Sequence, residues 1–376
     1  MISIAADFEC GNAKHIRQIA IDRFRLEVIG DKPTYCYYFC FDVRNDGPAS
    51  AVTVEVWPDS RFGPEGFVVS LPTTVWVASR GDGRFKPLDR ERVRNTEEPL
   101  LIRLNLNANE TIRVSNAWPA RYSDTQDALR RLADERGDRC EAFTIGKSVQ
   151  GRDITGIRTG APGKPRIQCV AGQHAVEFSG TWGMLGIADY ITSLVPDAVA
   201  LRERIQVEVL PAVNPDGNVA GRNAFNAEGF DMYRSFGDDP ESEAPEAHES
   251  RLLWDMLVKD RPAMWMNIHA FVGWRENGEY PYDGWYEVVD PVFENSDRAR
   301  LYQALCDTMR LETDGMSTHG RANVHRENTM CYQMARRLGI PSAFYEINVA
   351  TAGPHGAAKR AIHVFKRAVH TLLSSR

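Results

Sequence analysis

The sequence lacks any uninterrupted apolar run of about 18 residues, the length that an α-helix needs to cross a bilayer. We therefore expect no membrane span. Residues 1–7 also lack the basic start and long apolar stretch of a secretory signal peptide. The chain has seven cysteines, an odd number without tight clustering, so a disulfide framework is not indicated. Reduced thiols and a cytoplasmic location are the expectation.

An excess of positive charge is lacking as well. The 45 Lys and Arg residues stand against 51 Asp and Glu, which gives a net charge of −6 at pH 7. This balance argues against a general binder of nucleic acid or of anionic membranes. Internal repeats and low-complexity segments are also absent from the sequence. A chain of 376 residues with 43% hydrophobic and 26% charged residues is typical of a soluble globular protein, and two domains are expected.

Two sequence patterns divide the chain near residue 120. Before this point, short segments such as 51–56 alternate apolar and polar residues, as half-buried antiparallel strands do. After it, apolar strands alternate with helical stretches such as 180–194, a pattern that favours an α/β fold. We predict an N-terminal antiparallel β-sandwich over residues 1–120. An α/β/α domain with a mixed, mostly parallel central sheet is predicted over residues 121–376.

Three short apolar runs in the second part each lead into a histidine or a glutamate. They precede, in order, the pair His174 and Glu177, then His269, and finally Glu346. In a parallel α/β sheet the carboxyl ends of the strands open on one crevice, so these side chains are expected to meet there. Singly, each would be interpreted as a loop histidine or a salt-bridged carboxylate. Together, two histidines and a glutamate form a three-ligand zinc set with an open position for water. Glu346 would accept the proton of that water.

The order of these motifs resembles that of the M14 zinc carboxypeptidases. In that family, as here, His-x-x-Glu is followed by a lone histidine and then by a glutamate; here His269 lies 95 positions after His174. Further segments are similar to family motifs, namely 145–152, 210–217 and 229–234. Three other segments resemble motifs of the cytosolic carboxypeptidases, a subfamily of this family, namely 7–12, 37–45 and 119–124. The resemblance implies a carboxypeptidase-type fold behind an N-terminal β-sandwich, with Zn²⁺ as cofactor.

The resemblance also implies roles for residues that would contact the substrate. Arg234 would bind the terminal carboxylate, because the planar arginine fork binds carboxylates bidentately. Tyr233 stands where the family has the asparagine of an Asn-Arg pair, and we predict it beside the substrate. Arg222 would polarise the scissile carbonyl and stabilise the oxyanion. Arg321 and Arg326 are expected either to line the pocket for the terminal side chain or to be solvated loop charges.

Three functions are consistent with these residues. The leading interpretation is a zinc carboxypeptidase that hydrolyses a C-terminal peptide or isopeptide bond, with Glu346 as general base and an acidic terminal residue as the expected substrate. The second is a zinc amidohydrolase or deacylase on the same fold, acting on a small acyl-amino compound; Tyr233 and the apolar stretch 270–274 favour it. The third is an inactive binding protein, whose mark would be a lost ligand or base. The substrate is expected to carry a free carboxylate, and residues 1–120 to supply no ligand and no base.

Overall fold

The computed structural model describes residues 1–62, 74–80, 84–95, 99–237, 239, 241–271, 283–285, 293, 295–313, 327–349 and 353–375. We call residues 1–120 the N-terminal region and residues 121–376 the C-terminal region. The strands of the N-terminal region are β1 (Ile2–Ala5), β2 (Lys14–Ala20), β3 (Arg23–Glu27), β4 (Cys40–Asn45), β5 (Ser50–Trp57), β6 (Trp76–Ser79), β7 (Lys86–Pro87), β8 (Val93–Asn95), β9 (Leu100–Leu106) and β10 (Thr111–Ser115). A short 3-10 turn precedes β8 at Arg90–Arg92.

These strands form two five-stranded sheets with a common apolar core. One sheet has the order β1-β4-β10-β6-β7 and the other β2-β3-β5-β9-β8. Val43 and Val114 of the first sheet belong to the same buried cluster as Val54 and Ile102 of the second. The alternating burial along β9 shows why the period of two predicted these strands. The antiparallel sandwich is confirmed, except that β3 and β5 pair in parallel.

The C-terminal region contains one seven-stranded sheet in the described residues. Its strands are β11 (Cys140–Lys147), β12 (Asp153–Gly160), β13 (Arg166–Ala171), β14 (Gln206–Leu210), β15 (Met264–Phe271), β16 (Gly284–Trp285) and β17 (Ser342–Asn348). The order is β11-β12-β14-β13-β15-β17-β16. The central strands β14, β13, β15 and β17 are parallel, and antiparallel strands complete both edges. The predicted mixed sheet is therefore confirmed, with its parallel pairings in the centre.

Helices pack around this sheet. They are α1 (Tyr122–Glu135), α2 (Phe178–Ile191), α3 (Pro196–Arg202), α4 (Pro215–Val219), α5 (His248–Asp260), α6 (Ser296–Glu312), α7 (Met330–Gln333), which a π-helical turn extends over Met334–Leu338, and α8 (Pro354–Ser374). The apolar helix α2 lies in the core, where it contacts α8 and the parallel strands. In the described residues no single helix is long and apolar enough to cross a membrane; only α2 and α3 together, bent by 88°, have that length and composition.

The predicted boundary near residue 120 stays a prediction. Strand β10 ends at Ser115 and helix α1 begins at Tyr122, on either side of it. Hydrogen bonds cross between the two regions: the backbone N–H of Cys10 donates to Val219 O at 3.0 Å, and Asn12 Nδ2 donates to Gly221 O at 2.8 Å. The N-terminal region is thus joined to the segment that follows β14.

Candidate metal centre

A sharp turn after β13 places the His-x-x-Glu motif over the carboxyl ends of the parallel strands. Gly172 follows the last strand residue and has a φ of +76°, a conformation that favours glycine. A Cβ atom here would also lie 3.1 Å from the Cα of Ala212. The chain then forms a turn in which the N–H of Glu177 donates to the carbonyl of His174 at 3.2 Å. Glu177 occupies the N-cap position of α2 without a side-chain capping hydrogen bond, and this turn keeps its side chain near that of His174.

The other two candidate residues lie on neighbouring strands, near the carboxyl ends of the parallel strands. His269 is on β15 and Glu346 on β17, and the two are directly opposite each other in the parallel register. Residues in register on adjacent strands point to the same face of a sheet. The structure therefore brings Glu346 beside His269, but neither residue ends its strand as predicted, because β15 continues to Phe271 and β17 to Asn348.

Three side chains converge on a point suited to a metal ion. Glu177 Oε1 lies 2.8 Å from His174 Nδ1, and Glu177 Oε2 lies 2.7 Å from His269 Nδ1. The candidate ligand atoms of the three residues are all within 4.8 Å of one another. All three residues are buried. Two imidazole nitrogens and one carboxylate oxygen are a common set for catalytic zinc.

The Nε2 atoms of His174 and His269, which point away from the shared position, both face oxygen acceptors. The contacts of these atoms show whether the two rings are oriented to bind a metal through Nδ1. His174 Nε2 lies 3.3 Å from Asp231 Oδ1, and His269 Nε2 lies 3.3 Å from Gln173 Oε1. A neutral ring in this setting carries its proton on Nε2 and leaves the Nδ1 lone pair free for a cation. Metal-binding histidines are oriented in this way by carboxylates and carbonyls. The donor set and its surroundings fit zinc.

Opposing charges set the protonation of the three candidate ligands. Burial raises the pKa of Glu177, but the charges of His174 and His269 and their hydrogen bonds outweigh it and lower the pKa to about 2. Burial lowers the pKa of His174, but Tyr35, Glu177 and Asp231 raise it well above its usual range. The pKa of His269 is lowered, chiefly by burial. These opposite shifts favour the charged form of His174 and the neutral form of His269 at neutral pH.

We expect the affinity for zinc to rise with pH. Protonated His174 must lose its proton before Nδ1 can bind a cation, so protons compete with the metal below the raised pKa of this histidine. One competing proton changes the apparent affinity about tenfold per pH unit. Titration calorimetry with zinc between pH 6 and 8, in buffers of different ionisation enthalpy, should show release of at least one proton. Binding without proton release would contradict the assigned protonation.

Glu346 has the surroundings of a group that exchanges protons. Burial raises the pKa of its carboxyl well above the usual range, and the negative charge of Glu177 raises it further. The positive charges of His174 and Arg234 act in the opposite direction. A divalent cation held by the ligands would add to this second effect and favour the ionised form. The pKa of Glu346 is therefore sensitive to what the neighbouring site contains.

Arg234 lies close to the candidate ligands through Asp231. Its backbone N–H donates to Asp231 Oδ1 at 3.2 Å, and its Nε lies 4.0 Å from Asp231 Oδ2. Its charge also acts on the pKa of Glu346. The structure thus brings this arginine to the edge where the ligands and Glu346 meet. Its predicted role in binding a carboxylate stays a prediction.

Arg222 contacts the N-terminal region, and its predicted role at the scissile carbonyl stays a prediction. In the described residues its guanidinium forms an ion pair with the buried carboxylate of Asp31 in the N-terminal region. The same carboxylate accepts hydrogen bonds from the backbone N–H groups of Ala224 at 2.7 Å and Phe225 at 2.9 Å. This arrangement favours a role for Arg222 in joining the two regions over one at the scissile carbonyl.

Tyr233 packs behind the two histidines. It is 1% exposed, and its ring centroid lies 5.2 Å from that of His269 and 6.2 Å from that of His174. Burial raises the pKa of its hydroxyl well above the usual range. This placement favours support of the ligand rings over the predicted direct contact with a substrate.

Other expectations concern residues that the structure leaves out. Arg321 and Arg326, predicted near the pocket for the terminal side chain, lie outside the described residues. So do residues 272–274 of the apolar stretch after His269. In the described ranges, the group that could hold a metal consists of His174, Glu177 and His269, and the expectation that residues 1–120 supply no ligand stays a prediction.

Four further residues, which the sequence did not single out, contact the candidate ligands or their partners. Asp231 and Gln173 face the Nε2 atoms of His174 and His269. Their positions in the sequence could have indicated them, because Asp231 lies inside the motif at 229–234 and Gln173 directly precedes His174. Tyr35 and Lys32 belong to the N-terminal region. Tyr35 Oη lies 3.5 Å from His174 Nε2, and Lys32 Nζ lies 3.3 Å from Asp231 Oδ2. No pattern in the sequence indicated these two.

Comparison with known proteins agrees with this architecture. A family model described as zinc carboxypeptidase matches residues 125–337. Cytosolic carboxypeptidase 2 of Danio rerio is 26% identical over 259 residues, which cover 62% of this chain and 36% of the relative. Cytosolic carboxypeptidase 2 of Xenopus tropicalis is 28% identical over 301 residues, which cover 73% of this chain and 31% of the relative. The chain thus spans about a third of the length of these curated relatives.

Solved structures share the fold over the whole chain. A metallo-carboxypeptidase from Burkholderia cenocepacia superposes with a TM-score of 0.83 at 15% identity, covering 100% of this chain and 99% of its own. A metallo-carboxypeptidase from Pseudomonas aeruginosa gives a TM-score of 0.79 at 19% identity, with 99% and 98% covered. The likeness includes both the N-terminal sheets and the region that holds the candidate ligands.

Proposed function

Since the chain belongs to the M14 zinc carboxypeptidase family, we propose that it is a metallopeptidase that hydrolyses a C-terminal peptide or isopeptide bond with zinc as its cofactor. The observation that carries this proposal is the register of β15 and β17, which places Glu346 directly opposite His269. A proton acceptor and the three candidate ligands therefore share one sheet edge. No ligand and no base of the predicted set is lost.

The chemistry is divided between the metal and the side chains. His174, Glu177 and His269 would hold the zinc ion, which would supply a Lewis acid able to lower the pKa of water to about 7. Glu346 takes a proton as the water oxygen bonds to the carbonyl carbon. It returns this proton to the leaving nitrogen as the C–N bond breaks. The products are a shortened peptide with a new carboxylate and a released amino acid or peptide with a free amine.

Arg234 is the proposed partner of the terminal carboxylate. It is a cation at the same edge as Glu346, and the side chain is 28% exposed, which leaves a surface for a ligand. A guanidinium binds a carboxylate through two parallel hydrogen bonds, and this fixes the scissile bond relative to the base. An acidic terminal residue remains the expected substrate class. A cytoplasmic location is part of the proposal, supported by seven cysteines that are all unpaired and buried.

The test compares peptides with a free C-terminal carboxylate and the same peptides amidated. The zinc-loaded protein should cleave the free acids, with acidic, basic and aromatic terminal residues tried in turn. Arg234→Ala should lower kcat/KM for the free acid about 10- to 150-fold, the loss expected for a charged hydrogen bond of ~1.5–3 kcal/mol. Arg130→Ala, which removes an exposed arginine on α1, is the matched control.

The amidohydrolase alternative has one structural argument. Two predicted substrate contacts have other partners: Arg222 pairs with Asp31, and Tyr233 is buried. Such a site could act on small acyl-amino compounds with fewer contacts. Equal cleavage of amidated and free peptides, or a preference for N-acyl amino acids over peptides, would favour this alternative over the carboxypeptidase.

A further inference from the structure

The N-terminal region reaches the candidate metal centre through residues 30–38, which we call the bridging loop. The carboxylate of Asp31 binds Arg222 and the backbone of Ala224 and Phe225. A second attachment is made by Asn223, whose Oδ1 accepts hydrogen bonds from the N–H groups of Tyr37 and Tyr38 at 3.1 and 3.0 Å. The bridging loop is thereby fastened to the segment of the C-terminal region that leads to Asp231.

Within this loop, Lys32 holds the carboxylate that faces ligand His174. Its Nζ lies 3.3 Å from Asp231 Oδ2, while Asp231 Oδ1 lies 3.3 Å from His174 Nε2. The ammonium group also lies 4.3 Å above the ring of Tyr35 and 5.6 Å from that of Phe225. An ammonium that is flanked by two rings and a buried carboxylate is restricted in position. One oxygen of Asp231 is therefore fixed by the N-terminal region, and the other faces the imidazole.

Tyr35 contacts the same imidazole directly. Its hydroxyl lies 3.5 Å from His174 Nε2, and the two ring centroids are 5.1 Å apart with an interplanar angle of 53°. Its ring also packs edge-on against Phe225 at 6.5 Å. The outer side of His174 is thus enclosed by Asp231 on one side and by the Tyr35 ring on the other.

From these contacts we propose that Lys32 and Tyr35 are positioning residues for the metal centre, supplied by the N-terminal region. They hold Asp231 and the ring of His174 so that Nδ1 points at the position shared with Glu177 and His269. The proposal rests on the proposed zinc site. Partners of ligating histidines commonly contribute 10- to 100-fold to metal affinity, whereas an exposed ion pair on its own contributes little. Zinc affinity therefore distinguishes a positioning role from a surface salt bridge.

The experiment measures zinc affinity of the full chain by competition with a chromophoric chelator. Lys32→Met should weaken binding about tenfold or more, the range for an outer partner of a ligand. Lys32→Arg, which keeps a cation, should restore most of the affinity. Tyr35→Phe, which keeps the ring and removes the hydroxyl, should weaken binding less than Lys32→Met. Lys147→Met is the matched control, because it removes an exposed lysine that pairs with Asp153.

A double-mutant comparison tests the route of the effect. If Lys32 acts through Asp231, Lys32→Met should have little further effect on zinc affinity in the Asp231→Asn background. The visible absorption of the cobalt(II)-loaded protein should change with Lys32→Met and stay unchanged with Lys147→Met. If Lys32→Met and Tyr35→Phe both had the zinc affinity and the cobalt spectrum of the wild type, the positioning role would be overturned. The proposed metal centre would not be affected by that result. Absence of zinc binding in the wild type would overturn the proposed metal centre.

Discussion

Replacing His269 with alanine is expected to remove most of the bound zinc. The substitution leaves two ligands where three converge, and the buried carboxylate of Glu177 loses one of its two imidazole partners. The loss should exceed the 10- to 100-fold reduction in affinity that changes outside the ligands commonly cause. Metal analysis after dialysis against zinc at a concentration that saturates the wild type is the measurement.

The control for this substitution is His363→Ala. His363 is an exposed histidine on α8 that pairs with Glu312 at 2.6 Å. The His363→Ala variant should retain the full zinc content. It thereby shows whether removal of any histidine lowers the zinc content. Full occupancy in His269→Ala would refute the ligand assignment.

Replacing Glu346 with glutamine should separate catalysis from metal binding. The amide keeps the size of the side chain but cannot accept and return a proton, so turnover should fall by about 10²-fold or more. Zinc content should stay at the wild-type level, because Glu346 is not among the three converging ligands. The measurement is kcat on a peptide with a free terminal carboxylate, together with the metal content of the same sample.

Two comparisons make this result specific. Glu203→Gln changes an exposed glutamate at the end of α3 and should leave kcat unchanged. If Glu346→Gln turned over substrate at a near-normal rate, another group would have to be the base. A loss of zinc in parallel with activity would instead place Glu346 among the groups that hold the metal.

The meeting of the candidate ligands was predictable because it depends on the carboxyl-terminal parts of parallel strands. An apolar run that stops at a histidine or glutamate is visible in the sequence, and parallel strands bring such ends to one edge of the sheet. The structure brings His174, Glu177 and His269 together and places Glu346 opposite His269, although both strands continue for two residues beyond these positions. The alternation of apolar and polar residues likewise predicted the N-terminal sheets.

The roles of Arg222 and Tyr233 could not be read in the same way. The partner of Arg222 is Asp31, which lies 191 positions away, and local spacing says nothing about such a pairing. Tyr233 occupies a motif position, but its packing against Phe344 and the histidines depends on strands far along the chain. The contacts of Tyr35 with His174 and of Lys32 with Asp231 also join distant parts of the chain, so local spacing could not predict them. The parallel pairing of β3 and β5 was hidden because both pairing directions give the same period of two.

The register of β15 and β17 limits how this region can vary in length. Side chains alternate between the two faces of a strand, so a one-residue insertion or deletion between Pro341 and Glu346 would turn the Glu346 carboxylate to the opposite face. A two-residue change would restore the face but move the carboxylate about 7 Å along the strand. Neither change could be compensated by side-chain rotation. Length variation that preserves activity is therefore confined to the connections outside these paired strands.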